Sequence, residues 1–136
     1  MPALSKLRLS AFRRQNGLCF YCHLPMWTAD PLPFAAQYGL SAAQARRFQC
    51  TAEHLIARQD GGKDQEDNIA AACLFCNLAR HQRKNPPDPD RYCALVAKRI
   101  MAGRWHLPVV LMRLSGKAHK SPRSANDTVF APATTT

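Results

Sequence analysis

The stretch TAEHLIARQDGGKDQEDNIAAACLFCNLARHQR, residues 51–83, decides how this chain is read. It brings together an acid–histidine pair (Glu53, His54), a Gly61-Gly62 turn, Asn68, a Cys73-x-x-Cys76 and the pair Asn77 and His81, and it ends in basic residues. Alternating character from Phe48 to Ile56 predicts a strand, Gln59 to Lys63 a polar turn, and Asn68 to Ala72 the returning strand of a hairpin. Cys73 then opens a helix to about Lys84, which Asn85-Pro86-Pro87 stops. The local order is strand, long loop, strand, helix, and so many metal-binding and acid–base groups in one short span are hard to explain as core packing.

Working outward, Cys73-x-x-Cys76 has a distant counterpart in Cys19-x-x-Cys22, which follows Gly17 at the end of an amphipathic segment. Two such knuckles supply the four tetrahedral thiolates that Zn²⁺ prefers, and they close a long loop around a domain too small to rely on its core alone. Structural zinc is the leading reading, ahead of an iron–sulfur site or a redox pair. A closed four-thiolate site has no position for water, so it is not the place for metal chemistry. Cys50 and Cys93 are left over and read as small buried hydrophobes.

The remaining polar residues call for a different ion. On a helix, Asn77 and His81 point the same way, and Glu53 on the hairpin can add an oxygen across the gap. Two oxygens, one imidazole and open positions suit Mg²⁺, Mn²⁺ or another divalent first-row ion. His54 follows Glu53 on the same strand, so the two side chains face opposite ways and their roles separate, with Glu53 a ligand and His54 free to accept a proton from water. Arg58, Lys63, Arg80, Arg83 and Lys84 surround this centre in sequence and are the candidates for phosphate contacts.

The 136 residues hold one domain, and 19 Lys and Arg against 9 Asp and Glu leave a formal charge of +10. That excess points to a polyanionic partner, nucleic acid ahead of a membrane surface, and a four-thiolate zinc site would reduce it without reversing it. No window is apolar enough to span a bilayer and the N-terminus is charged, which predicts an intracellular, cytoplasmic protein with reduced cysteines. Flanking helices are expected at about 6–16, 41–47 and 89–102, with an irregular proline-rich connection from His23 to Phe34. Trp105 to Leu114 is expected to lie against the fold, closing a domain over 1–114, and 115–136 to form a disordered basic tail. His23, His106, His119, Trp27 and Trp105 belong to no motif.

The matching residues Glu53-His54, Gly61-Gly62, Asn68, Cys73-x-x-Cys76-Asn77 and His81, with Cys19-x-x-Cys22 upstream, resemble the HNH endonuclease family over roughly residues 19–84. The resemblance implies a small α+β fold, a ββα-metal motif of hairpin plus helix, stapled by the four-cysteine zinc site and flanked by helices. It also implies that His54 is the general base, that Asn68 holds the hairpin loop and the His54 ring, and that Glu53, Asn77 and His81 bind the catalytic ion. The expected activity is metal-dependent hydrolysis of DNA, double-stranded above all, leaving 5′-phosphate and 3′-hydroxyl ends, by a monomer or weak homodimer. Many members have proline where this chain has Ala57 and histidine where it has Asn77, so the second departure bears on which metal is preferred. The alternative is a zinc-stabilised module that binds nucleic acid without cutting it; only the nuclease needs a second divalent site.

Overall fold

A computed structural model describes residues 3–120. Helix α1 (Leu4–Arg14) is followed by the first cysteine knuckle, then α2 (Pro31–Tyr38) and α3 (Ala42–Arg46); strand β1 (Cys50–His54) pairs with β2 (Ile69–Cys73), and α4 (Leu74–His81), α5 (Pro89–Met101) and α6 (Pro108–Lys120) complete the order. The architecture is a small α+β fold in which one antiparallel hairpin and the helix after it are wrapped by helices. No helix among the described residues is long and apolar enough to cross a membrane.

The hairpin register pairs Cys50 with Cys73 and His54 with Ile69. β2 reads Ile-Ala-Ala-Ala-Cys and is buried throughout, whereas in β1 Cys50 and Glu53 are buried and the rest are partly exposed. Small residues in β2 let helices approach closely on both sides. On one of them α1 covers the strands, and the Gln15 side chain both accepts from the Ala71 N–H (2.9 Å) and donates to the Ala71 carbonyl (2.8 Å), substituting for a third strand on the hairpin edge. α4 starts directly from β2, because Cys73 is at once the last strand residue and the helix N-cap, its sulfur accepting from the Cys76 N–H at 3.4 Å.

Between the strands, residues 55–68 form a long loop with 3₁₀ turns at Arg58–Asp60 and Glu66–Asn68. Asn68 clamps it: its side-chain oxygen accepts from the Ile56 N–H (2.8 Å) and its nitrogen donates to the carbonyls of Ile56 (3.1 Å) and Lys63 (3.0 Å). Gly62 is required by space. A Cβ there would lie 1.7 Å from the Ile56 carbonyl oxygen, so only glycine lets the two limbs of the loop close on each other.

The core runs from the knuckle through Phe34, Tyr38 and Phe48 to Tyr92, Val96 and Leu114. α5 is anchored by Tyr92, whose ring meets Tyr21 edge-on at 4.7 Å and whose hydroxyl donates to the Cys76 carbonyl at 2.9 Å.

Several expected boundaries move. The connection from His23 to Phe34 is not irregular throughout, since α2 begins inside it: the Asp30 carboxylate caps the Leu32 N–H (3.0 Å) and Pro31 occupies the first turn, where its missing N–H and fixed φ favour a helix. α4 ends at His81 rather than about Lys84, and β1 occupies only the middle of the span from Phe48 to Ile56. α6, again opened by proline, runs past Leu114 to Lys120, and the rest of the tail expected over 115–136 lies outside the described residues.

Candidate functional site

Two clusters lie on opposite ends of the hairpin. At the Cys50–Cys73 end, the sulfurs of Cys19, Cys22, Cys73 and Cys76 all lie within 4.8 Å of one another and all four residues are buried. Among the described residues this is the one group of three or more His, Cys, Asp or Glu side chains so gathered. Tetrahedral ligands about 2.3 Å from a zinc ion would sit about 3.8 Å apart, so small shifts close the site around one ion. The surroundings already treat the sulfurs as acceptors. The N–H groups of Tyr21 (3.4 Å), Cys22 (3.5 Å) and Cys73 (3.3 Å) point at Cys19 Sγ, and the Trp105 indole N–H points at Cys76 Sγ (3.3 Å). Burial works against ionising Cys19, but the thiols of Cys22, Cys73 and Cys76 around it hold its pKa well below the ordinary value, while the Cys19 contact pushes Cys22 up. Cys50 lies outside the cluster and burial raises it to about 11, the behaviour of a small hydrophobe.

At the other end, Glu53 is 1% exposed, an expensive place for a carboxylate unless every lone pair is used. Its Oε1 meets His81 Nε2 at 2.8 Å, and its Oε2 accepts from Arg80 Nη1 (2.9 Å) and from the Tyr21 hydroxyl (2.7 Å). Tyr21 keeps its proton for this bond, because burial and then the Glu53 charge push its pKa upward. Neighbouring ligands of an octahedral ion with bonds of about 2.1 Å are about 3.0 Å apart. The Glu53–His81 separation therefore suits two adjacent ligands of one Mg²⁺ or Mn²⁺, with His81 half-exposed towards solvent.

Asn77 does not join this pair by any hydrogen bond. Its amide nitrogen donates to Thr51 Oγ1 (3.0 Å) and the Ala52 carbonyl (3.2 Å), tying α4 to β1, and no group among the described residues donates to its oxygen, the atom a metal would use. His54, next to Glu53 but on the other face of β1, is partly exposed, and its Nε2 lies 2.8 Å from Asp64 Oδ1. Asn68 holds the loop that brings Asp64 there, without itself bonding to the His54 ring.

The basic candidates divide. Lys63, Arg83 and Lys84 are exposed, and so is Arg58, which also reaches Asp64 at 3.2 Å. Arg80 is the correction: expected to meet phosphate, it is 5% exposed, bonded to Glu53 and, through Nε (3.2 Å) and Nη2 (3.1 Å), to the Pro87 carbonyl. It cannot reach a DNA backbone without abandoning a buried carboxylate.

Sequence reasoning missed four residues here: Arg80 as a buried cation, Tyr21 as a donor to Glu53, Trp105 as a donor to Cys76, and Asp64 beside His54. The first could have been anticipated, since a ligand carboxylate on a strand facing a core needs a permanent cation, and Arg80 is next to His81 on the facing helix. The others depend on long-range packing with no local signal.

The family model of the HNH endonuclease matches residues 44–83. Comparison with curated proteins and with solved structures gave no significant match. The matched segment spans the hairpin, its loop and α4, the frame that carries Glu53, His54 and His81, and it supports a nuclease or nucleic-acid-related function at the level of the family. The likeness to the HNH endonuclease family thus covers residues 44–83.

Proposed function

We propose that this protein is a divalent-metal-dependent DNA endonuclease stabilised by a structural Zn²⁺ on Cys19, Cys22, Cys73 and Cys76. The observation that carries the reading is the Glu53–His81 contact of 2.8 Å, positioned on the family's hairpin-and-helix frame with His54 adjacent on β1. A divalent ion held by Glu53, His81 and the Asn77 oxygen would polarise the scissile phosphate and stabilise the leaving 3′-oxygen. His54, on the opposite face of the strand from Glu53, takes the proton of the attacking water. Arg80 and Tyr21 hold Glu53 in one orientation, Asn68 keeps the loop closed, and Arg58, Lys63, Arg83 and Lys84 meet the DNA backbone.

The binding-only reading draws on Glu53 itself, whose second oxygen is already neutralised by Arg80, so that the carboxylate is satisfied without an ion. Incubating plasmid DNA with wild type and with His54→Ala, with and without Mg²⁺ or Mn²⁺, separates the two. The nuclease reading expects metal-dependent nicking by wild type and a loss of at least about 100-fold in the folded, zinc-loaded variant. A variant that nicks as fast as wild type removes His54 from the chemistry, and a wild type that binds but never nicks supports the binding module.

A further inference from the structure

Asp64 belongs to none of the groups so far given a role, yet it makes the shortest side-chain contact to His54. We propose that Asp64 is a positioning residue: it holds the His54 imidazole with its Nε2 proton on the carboxylate, so that Nδ1 is the nitrogen that accepts the proton of the attacking water. The proposal rests on the reading of His54 as general base.

The geometry selects one tautomer. His54 Nε2 is 2.8 Å from Asp64 Oδ1 and 3.2 Å from Arg58 Nε, and one ring nitrogen cannot both donate to the first and accept from the second. A bare lone pair 2.8 Å from a carboxylate oxygen would be repelled, whereas an N–H there makes a short charge-assisted bond. The longer Arg58 contact then yields, and its guanidinium is better used on Asp64, with Nη2 at 3.3 and 3.2 Å from the two oxygens. The same contacts, His54 first, hold Asp64 below the usual carboxylate range, so it remains an ionised acceptor. His54 Nδ1 has no hydrogen-bond partner among the described residues.

An exposed ion pair is ordinarily a weak orienter, because two flexible side chains must be held together. Here the backbone does the holding. Asp64 follows directly on Lys63, whose carbonyl is fixed by Asn68, and on Gly62, which is pressed against the Ile56 carbonyl. The loop therefore presents the carboxylate at a set position above β1. In the reaction, the water proton passes to Nδ1 as its oxygen bonds to phosphorus and the bond to the 3′-oxygen breaks. The departing 3′-oxygen takes a proton from solvent to become the 3′-hydroxyl, the imidazolium releases its proton to solvent in turn, and Asp64 stays ionised throughout beside the ring.

The test uses ¹⁵N-histidine spectra of the full-length zinc-loaded protein without DNA, above the ordinary imidazole pKa, with His54 signals identified by their loss in His54→Gln. The expected wild-type pattern is a protonated Nε2 and a bare Nδ1. Asp64→Asn, which keeps the shape but can turn an amide donor to the ring, should shift His54 towards the other tautomer. It should lower kcat on plasmid DNA on the order of 100-fold with KM within about twofold, while Asp64→Glu restores part of the loss. A wild-type His54 carrying its proton on Nδ1, or Asp64→Asn with wild-type kcat, overturns the proposal. A wild type with the expected tautomer that cuts no DNA upholds the Asp64 contact and overturns the nuclease reading, so the two failures are told apart.

Discussion

The two ends of the hairpin solve opposite problems with the same three elements. At the Cys50–Cys73 end, four buried sulfurs converge with backbone and indole N–H groups around them, a closed set positioned to hold one ion. At the His54–Ile69 end, a buried carboxylate is balanced by the protein's own cation, His81 beside it stays accessible, and His54 is partly exposed on the strand's other face. The first arrangement leaves no room for a reactant, whereas the second has an open side at His81. Tyr21 joins them, since it lies within the first knuckle and donates to Glu53. The closed site consequently sets the geometry of the open one, and losing zinc should disable the second cluster without altering any residue in it.

The largest effect should come from breaking the closed end. Cys73→Ser removes one of the four clustered thiols and a fully buried sulfur, while its hydroxyl can still cap α4. It should abolish the cooperative thermal transition at neutral pH, as should chelation of wild type, because binding energy of structural zinc is largely folding energy. Near-UV circular dichroism with metal analysis checks this, and a chelated protein that keeps its near-UV signal would show that the sulfurs are held by packing alone.

Breaking the open end from inside should cost less. Arg80→Met leaves Glu53 buried and uncompensated, a loss of about 3–5 kcal/mol by urea denaturation, with zinc retained. Were Arg80 instead a DNA contact, the same substitution would leave stability unchanged and reduce the salt dependence of DNA binding. Gly62→Ala, with its Cβ driven into the Ile56 carbonyl, should cost roughly 2–4 kcal/mol and lower activity through Asp64.

A still smaller effect tests a residue in neither cluster. His106 is buried between Phe48 and Phe75, and among the described residues neither ring nitrogen has a partner. Burial, then the Arg47 charge, lowers its pKa from 6.5 to about 4. The folded state therefore refuses a proton that the unfolded state accepts. Stability contributed by this group is present above about pH 6.5, falls as pH drops towards 4, and is lost below that, up to about 3 kcal/mol in all. Since acid also protonates zinc-bound thiolates, the check is the difference between wild type and His106→Leu: the two should diverge in thermal stability between pH 6.5 and 5, with wild type the more acid-sensitive.

Much of this contrast was legible in the chain itself. Cys-x-x-Cys spacing is a local property, and so are the alternation of β1, the Gly61-Gly62 turn and the capped starts of α3 and α5, where Ser41 and Asp88 accept from the N–H groups of Gln44 and Arg91. What escaped was whatever depends on a side chain's destination. Pro31 reads as a breaker unless Asp30 before it is seen as a cap, and the same ambiguity hid α6 behind Pro108. Arg80 reads as one more surface cation until the facing strand is known to bury Glu53. Asp64 sits in a polar loop where a carboxylate is unremarkable, and only the clamp of Asn68 and Gly62 brings it to His54.

Two metal sites of different kind on one chain can be told apart by Mn²⁺ titration of the zinc-loaded protein, followed by electron paramagnetic resonance. One Mn²⁺ should bind per chain without displacing zinc, and His81→Ala should abolish this binding while zinc content and fold are kept, with nicking lost in parallel. No Mn²⁺ binding by active wild type, or binding unchanged in His81→Ala, would contradict the two-site reading.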